Sequence, residues 1–517
     1  MREKRKVGIG GGIVARGYHW VKRPGRRFKT ARIDTRLRRH YAQDMRKALI
    51  IAVAAVVAVG CGGAKASKPS SVSAEAWLSN TINGQKVGYS VYRFDRISSG
   101  YRFESLIKMT IAMAGKEQQV QSHSEAYTNP DLTMQNFSFT FSSQGNSFAV
   151  KGRVVGDTLW IKAPNIKEER SITLTGPVYP SAALGRMVIM RKFAKDSTYK
   201  VPVFDAAVMG VSLAEVKVLG SEKVNAGGKE YDALKFTTRM EKTNVTSWVD
   251  DKGMAYVETS PPGVRSERTS ADSVLKAEPE GQKFDVLTMF RVPVDTSIPE
   301  GVTVNRLKLE ITGVDPKEYD LSGPGQTVLT TSPLVVEIKT PDVPTGPVPL
   351  PIAGESEFLK PSVSIQSDAP EVKAKLNEAI GSEKDGVAAA RKLASWVFTV
   401  VEQQMTASFP TALDVLKTMK GDCNEHAVLF AALARAAGIP TQTAVGLIYM
   451  DRAFYYHAWN EVYLGKWIPV DATFGEFPAS AIRLKLGQGD LAQQAEILGL
   501  VGNIGIKVKE FGTAPSK

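Results

Sequence analysis

From about residue 76 to 275, apolar and polar residues alternate with period two between clusters of turn formers, the pattern of strands that bury one face. Tyr101-Arg102-Phe103 runs on into Ile107, Met109, Ile111 and Met113 along one face of an extended segment. Phe137, Phe139 and Phe141 alternate likewise, Ser143-Gln144-Gly145-Asn146 interrupts them, and Phe148, Val150 and Val154 resume the pattern, which predicts a hairpin. Further extended segments around 229–239 and 245–257 are separated by Asn225-Ala226-Gly227-Gly228 and Asp250-Asp251-Lys252-Gly253. Together they predict an antiparallel, strongly curved β-sheet or half-barrel domain over 76–284. Its apolar stripes are read as core, although a curved sheet with one open face could hold an acyl chain or a peptide.

Residues 285–352 predict a small β connector, with strands at Leu307-Lys308-Leu309-Glu310-Ile311 and Leu334-Val335-Val336-Glu337-Ile338. Pro341, Pro344, Pro347, Pro349 and Pro351 then favour an extended, stiff linker and mark a boundary. Beyond it, over 353–517, the pattern turns helical. Ala388 to Val401 is rich in helix formers, and Val428, Leu429, Leu433 and Ala436 fall at helical spacing in a segment stopped by Gly438-Ile439-Pro440. The fold class expected is α+β, with no internal repeat.

Length and charge refine this picture. A chain of 517 residues is too long for one ordinary domain. Its formal charge of +13 would suit a nucleic-acid partner, but residues 1–60 hold 16 Lys/Arg against Glu3, Asp34 and Asp44, and the rest carries 50 basic and 50 acidic groups. A neutral body removes the main support for nucleic-acid binding. Residues 1–44 carry much of the excess without apolar periodicity and are read as a basic extension ahead of a true start at Met45. Met45-Arg46-Lys47, the apolar run Ala48 to Val59 and the small residues up to Cys61 then read as a secretion signal over 45–60. The run is about a dozen residues, whereas a membrane-spanning helix needs roughly 20. The segment resembles the lipobox of bacterial lipoproteins. That resemblance implies lipidation of Cys61, a flexible tether over 61–75, and a periplasmic or cell-envelope location on a lipid anchor, with the outer membrane favoured because Gly62 follows the cysteine.

If Cys61 is acylated, Cys423 is the remaining thiol and an internal disulfide is impossible. Gly421-Asp422-Cys423-Asn424-Glu425-His426 lies where a helix begins, so Cys423 is expected near unpaired N–H groups and the positive end of the helix dipole, which favour thiolate. A nucleophilic Cys needs a base, and beyond Cys61 the candidates are His123, His426 and His457. His123 falls in a polar strand of the β domain and is expected at the surface. His426 is an i,i+3 neighbour of the thiol and is read mainly as a packing or capping residue. His457 lies in an aromatic-rich strand, Phe454 to Tyr463, followed by Lys466 to Asp471 as a second strand. A hairpin turning about Leu464 sets Asp471 opposite His457, and shifting the loop by one residue at each end makes them diagonal neighbours on the same face. The carboxylate would then orient the imidazole. Trp459, Trp467 and Trp396 are read as packing residues and Glu425 as a buried hydrogen-bond partner. One Cys and two His at these spacings make a poor zinc set, so neither metal nor cofactor is expected.

These residues carry a wider resemblance. Trp396-Val397, Gly421-Asp422-Cys423, Ala434 to Pro440, His457-Ala458-Trp459-Asn460-Glu461-Val462 and Trp467 to Asp471 occur in the order found in the transglutaminase-like superfamily, a papain-like cysteine fold, over about 385–490. The resemblance implies Cys423 as nucleophile, His457 as general base and acid, and Asp471 as orienter, in a lipoprotein pairing such a domain with an N-terminal β domain. Where relatives are expected to carry a further His after the stretch Asp471-Ala472-Thr473-Phe474, this chain has Ala481-Ile482-Arg483. The expected activity is a membrane-anchored cysteine protease, amidase or acyltransferase acting on a peptide or envelope-protein substrate, with hydrolysis favoured over crosslinking. Two alternatives stay open: a catalytically silent binding or assembly lipoprotein using the β domain, and a lipid-carrying half-barrel.

Overall fold

The computed structural model describes residues 74–513, apart from 114–115, 144–145, 165–167, 208, 241, 277–290, 300–301, 320, 406–407, 490–496 and 501. The expected extension, the signal segment and Cys61 lie outside the described residues. The alternating N-terminal pattern forms one curved sheet of fifteen strands. Its seam is the antiparallel pair of Ala74–Ile82 with Val264–Thr269, with Trp77 facing Thr269. From the seam, strands add in chain order to Arg170–Thr173 on one side and in reverse order to Tyr179–Pro180 on the other. The hairpin expected around residue 145 is present, with Phe141 opposite Phe148.

Strand alternation sends Ile107, Met109, Ile111, Phe137, Phe139 and Phe141 to a buried face. A second cluster joins Leu78, Phe94 and Phe103 of that arm to Val216 and Phe236 of the other, together with residues of the short helix Leu184–Met190. The connector is a four-stranded sheet in which Val304–Thr312 pairs with Leu334–Lys339 on one side and with Gly505–Thr513 on the other. The end of the described chain thus returns to close a sheet begun some two hundred residues earlier, a pairing with no local signal in the sequence. The proline-rich segment is docked along its length. Val348 N–H donates to Asp385 Oδ1 at 2.8 Å. Leu350 N–H donates to Lys384 O at 3.0 Å and Ile352 N–H to Gly438 O at 2.9 Å. Prolines fix extended backbone while the intervening residues supply the N–H groups that bind it.

The C-terminal unit sets four helices, Pro370–Ile380, Gly386–Val400, Ala412–Thr418 and Cys423–Ala436, against a sheet built on Thr441–Met450 and Ala453–Tyr463. The Cys423–Ala436 helix is buried nearly all round, Cys423 to Ala434 without a break, so it sits between the other helices and the sheet. Gly438, at φ +82°, ends it as expected. The two large units are keyed together by Phe409, whose ring lies 5.5, 4.8 and 5.4 Å from the centroids of Phe139, Phe141 and Phe148, and by Arg170, which donates to Asp368 at 2.6 Å. Among the described residues no helix is long and apolar enough to cross a membrane.

Candidate active site

The local sequence around Cys423 builds a tight helix start. Asp422 is the N-cap, its Oδ1 accepting the Asn424 N–H at 2.9 Å. Glu425 folds back so that its Oε2 accepts the Asp422 N–H at 2.8 Å, completing a capping box, and its other oxygen accepts from Ser408 Oγ. A Cβ at residue 421 would lie 2.1 Å from Glu425 Cβ, so the returning side chain requires glycine there. Gly-Asp-Cys is therefore a steric and capping unit that fixes Cys423 as the first residue of the helix. The expected role of Glu425 as a buried partner is met. Cys423 has no exposed surface, and its sulfur lies beside the backbone N–H of Ala458, the residue after His457. Helix and strand are clamped on either side of this point by Tyr456 Oη to Asn424 Oδ1, 3.1 Å, and Asn460 Nδ2 to Ala427 O, 3.2 Å.

His457 and Asp471 meet as diagonal neighbours. The ladder pairs Tyr463 with Trp467 and Asn460 with Val470, leaving Leu464-Gly465-Lys466 as the loop. This is the register shifted by one residue at each end, centred on Gly465, and it keeps both side chains on one face. His457 Nε2 donates to Asp471 Oδ2 at 2.7 Å, so Nδ1 carries the lone pair, and Nδ1 has no hydrogen-bond partner among the described residues. Asp471 Oδ1 accepts the Thr473 N–H at 2.9 Å. The imidazole is stacked against Trp459 at 6.1 Å and lies 5.6 Å from the Phe474 ring.

Sequence reasoning missed Arg483. This fully enclosed guanidinium donates from Nε to Asp471 Oδ2 at 2.7 Å, and from Nη1 to Ser480 O at 3.1 Å and Ser480 Oγ at 2.9 Å. Nη1 also lies 2.9 Å from Glu476 Oε2. Glu476 is held by main-chain bonds to Asp471 in both directions, 2.9 and 3.0 Å. The available signal is the alternating charge of Arg483-Leu484-Lys485 where the resemblance leads one to expect a His.

Burial by itself would raise the Asp471 carboxyl, but Arg483 and His457 outweigh it and hold the group well below the usual carboxylate range. The Cys423 thiol moves the other way. Desolvation pushes it well above the ordinary thiol range, and the nearby Asp422 carboxylate adds to the rise. Desolvation and the neighbouring carboxylates thus act against the preference for thiolate expected at the helix start.

The remaining candidates take structural places. His426 is buried, its Nδ1 donating to Asp422 O at 2.6 Å, while Gln403 Nε2 contacts its Nε2 at 3.3 Å and donates to Thr473 O at 3.1 Å. Burial pulls its ring below the usual imidazole range. His123 is half-buried rather than at the surface, bonded through Nε2 to Glu104 at 2.9 Å beside the buried Arg102 and Glu125. Trp459 is buried, Trp467 packs edge-on against Phe358 and Tyr463, and Trp396 lies against the helical core. Among the described residues, no group of three or more His, Cys, Asp or Glu could hold a metal ion.

Two separate stretches of the chain match families of known proteins. Residues 374–472 match the transglutaminase-like superfamily, and residues 77–262 match a family described as a protein of unknown function, DUF3108. Kyphoscoliosis peptidase of Homo sapiens is 37% identical over 86 residues, covering 14% of this chain and 12% of that protein, and the Mus musculus protein matches to the same extent. The chain thus spans only about an eighth of these relatives. Among solved structures, a β-barrel-like protein of a domain of unknown function, DUF1849, from Brucella abortus covers 38% of this chain and 95% of its own at 14% identity and TM-score 0.32. A candidate cysteine protease from Cytophaga hutchinsonii covers 44% and 89% at 19% identity and TM-score 0.27.

Proposed function

Residues 374–472 form a transglutaminase-like domain, and from that premise we propose that the chain is a cysteine acyl-transfer enzyme using Cys423, His457 and Asp471 on amide or peptide bonds. One observation carries the reading: the Asp471 bond occupies His457 Nε2 and leaves Nδ1 as the basic nitrogen, while the buried sulfur lies beside the next residue on the same strand. Because burial keeps Cys423 as thiol, its proton passes to Nδ1 as the sulfur attacks the carbonyl, rather than beforehand. The C–S bond forms, the carbonyl oxygen becomes an oxyanion, and the Cys423 N–H at the helix start is its donor. Collapse breaks the C–N bond, and the imidazolium returns the proton to the leaving amine. Water, deprotonated by His457, then attacks the thioester, releasing the carboxylic acid and regenerating the thiol. Hydrolysis is preferred over transfer to an amine because water is the abundant acceptor. Anchoring through Cys61 at the cell envelope is part of the same proposal, with envelope proteins or wall peptides as the substrate class.

The complete burial of Cys423 supports a second reading, a silent binding protein, since a substrate can reach the sulfur only after its cover moves. Peptide-resolved mass spectrometry separates the two. The enzyme reading expects iodoacetamide to alkylate Cys423 in the full chain faster than in His457→Ala. It also expects envelope peptides to leave a hydroxylamine-labile acyl adduct that is absent from Cys423→Ala. Loss of His457 should lower turnover by about 10²–10⁴-fold. Equal alkylation in both proteins, with no adduct, would leave the binding reading.

A further inference from the structure

We propose that Arg483 is a positioning residue that keeps the Cys423–His457 couple uncharged at rest by sharing the carboxylate that would otherwise stabilise the imidazolium. The inference rests on the triad reading above and deepens its regulation. Asp471 Oδ2 accepts from His457 Nε2 at 2.7 Å and from Arg483 Nε at 2.7 Å, with Arg483 Nη2 at 2.6 Å from the same oxygen. One oxygen therefore serves a permanent cation and a conditional one. Arg483 cannot drift away, because Glu476 Oε2 and both oxygens of Ser480 hold its other side and Glu476 is in turn tied to the Asp471 main chain. Its guanidinium lies 5.5 Å from the Phe474 ring, which also faces His457 at 5.6 Å, so the two groups flank one aromatic wall.

The charged and titratable groups around the couple come from every packed element: Cys423, Asp422, Glu425 and His426 from the helix, Tyr456 from the strand that carries His457, Asp471 and Glu476 from the segment after the hairpin, and Arg483 from the last strand of that sheet. Arg483 is the fixed positive charge among them. A proton moving from Sγ to Nδ1 creates an imidazolium beside an acid already paired, so the ion pair costs more than it would with Asp471 undivided. A merely structural arginine would protect reactivity. A tuning arginine suppresses it, so its loss should make the thiol more reactive.

The test is the alkylation rate of the Cys423 peptide in the full chain between pH 6 and 7. Arg483→Gln should raise it by about tenfold, the effect of one pK unit on the imidazolium population, while Arg483→Lys, which keeps the charge, should stay within about twofold of wild type. A folded Arg483→Gln protein, judged by near-ultraviolet circular dichroism, that reacts no faster than wild type overturns the proposal, as does an Arg483→Lys protein that accelerates equally. Should Arg483→Gln fail to fold, Glu476→Gln decides. Removing the competing carboxylate strengthens the pull of Arg483 on Asp471 and should slow alkylation, and an unchanged or faster rate overturns the proposal. The Arg483→Gln, His457→Ala double variant separates the premises. Loss of the gain supports the inference, whereas a gain that survives without the imidazole overturns the triad reading itself.

Discussion

At the scale of single residues, the site is a balance of desolvation against paired charge. Asp471→Asn leaves Arg483 with one carboxylate and His457 without the charged acceptor that fixes its tautomer. The expected cost is about 3–5 kcal/mol in urea unfolding together with a rate loss of about 10²–10⁴-fold, both measurable on one preparation. A second carboxylate gives a pH signature far from the site. The bond to His123, helped by Arg102, holds the Glu104 carboxyl down to about 2 although burial opposes it. A carboxyl lowered on folding stabilises the protein above its unfolded value near 4.3 and loses that contribution as pH falls towards 2. Calorimetry should therefore find Glu104→Gln melting about 2–4 °C lower than wild type at pH 6, with the gap closing by pH 2. A constant gap across that range would show that the carboxylate charge is not the source.

At the scale of elements, the Gly421-to-Cys423 turn and the hairpin after His457 do most of the positioning. Gly421→Ala should drive Glu425 out of its return path and open the capping box, destabilising the chain by about 1–3 kcal/mol in denaturant. It should also accelerate Cys423 alkylation as the helix start frays; unchanged stability would mean that the turn accommodates a Cβ. Both elements were legible in the sequence because their signals are local. Asp422 and Glu425 stand at cap and third helical positions, and an odd loop centred on Gly465 keeps His457 and Asp471 on one face. The centre of the loop was not legible. Two registers satisfied the same-face condition, and the folded one sets Trp467 against Phe358 and Tyr463.

At the scale of the whole molecule, the curved sheet and the transglutaminase-like domain share a continuous apolar core in which Cys423 and Ala458 lie with the phenylalanines of the β domain. Phe409 is the key to that junction. Phe409→Ala should cost about 3–5 kcal/mol and increase hydrogen exchange in both Met134–Ser143 and Ala412–Thr418, since one ring fills space between the two. Exchange rising in one element alone would contradict a shared core. The sheet was recognisable from period-two alternation, yet its extent, fifteen strands with the first paired to the last, was not, because a closing pair is set by curvature accumulated over the whole sheet rather than by any local motif.

Interactions within one hairpin or one helix start were settled by the chain's own order: the strands of the N-terminal sheet, the capped helix that begins at Cys423, and the hairpin that brings an imidazole to an acid. Backbone geometry at that range leaves few alternatives, so residue type and spacing suffice. What folding in three dimensions decided was the electrical state of those groups and their enclosure. Whether the sulfur keeps its proton depends on water removed by segments hundreds of residues apart, and Arg483 reaches Asp471 only because a strand beyond the hairpin packs behind it. Desolvation and charge pairing sum over everything nearby in space, and that sum is fixed only when distant parts of the chain have met.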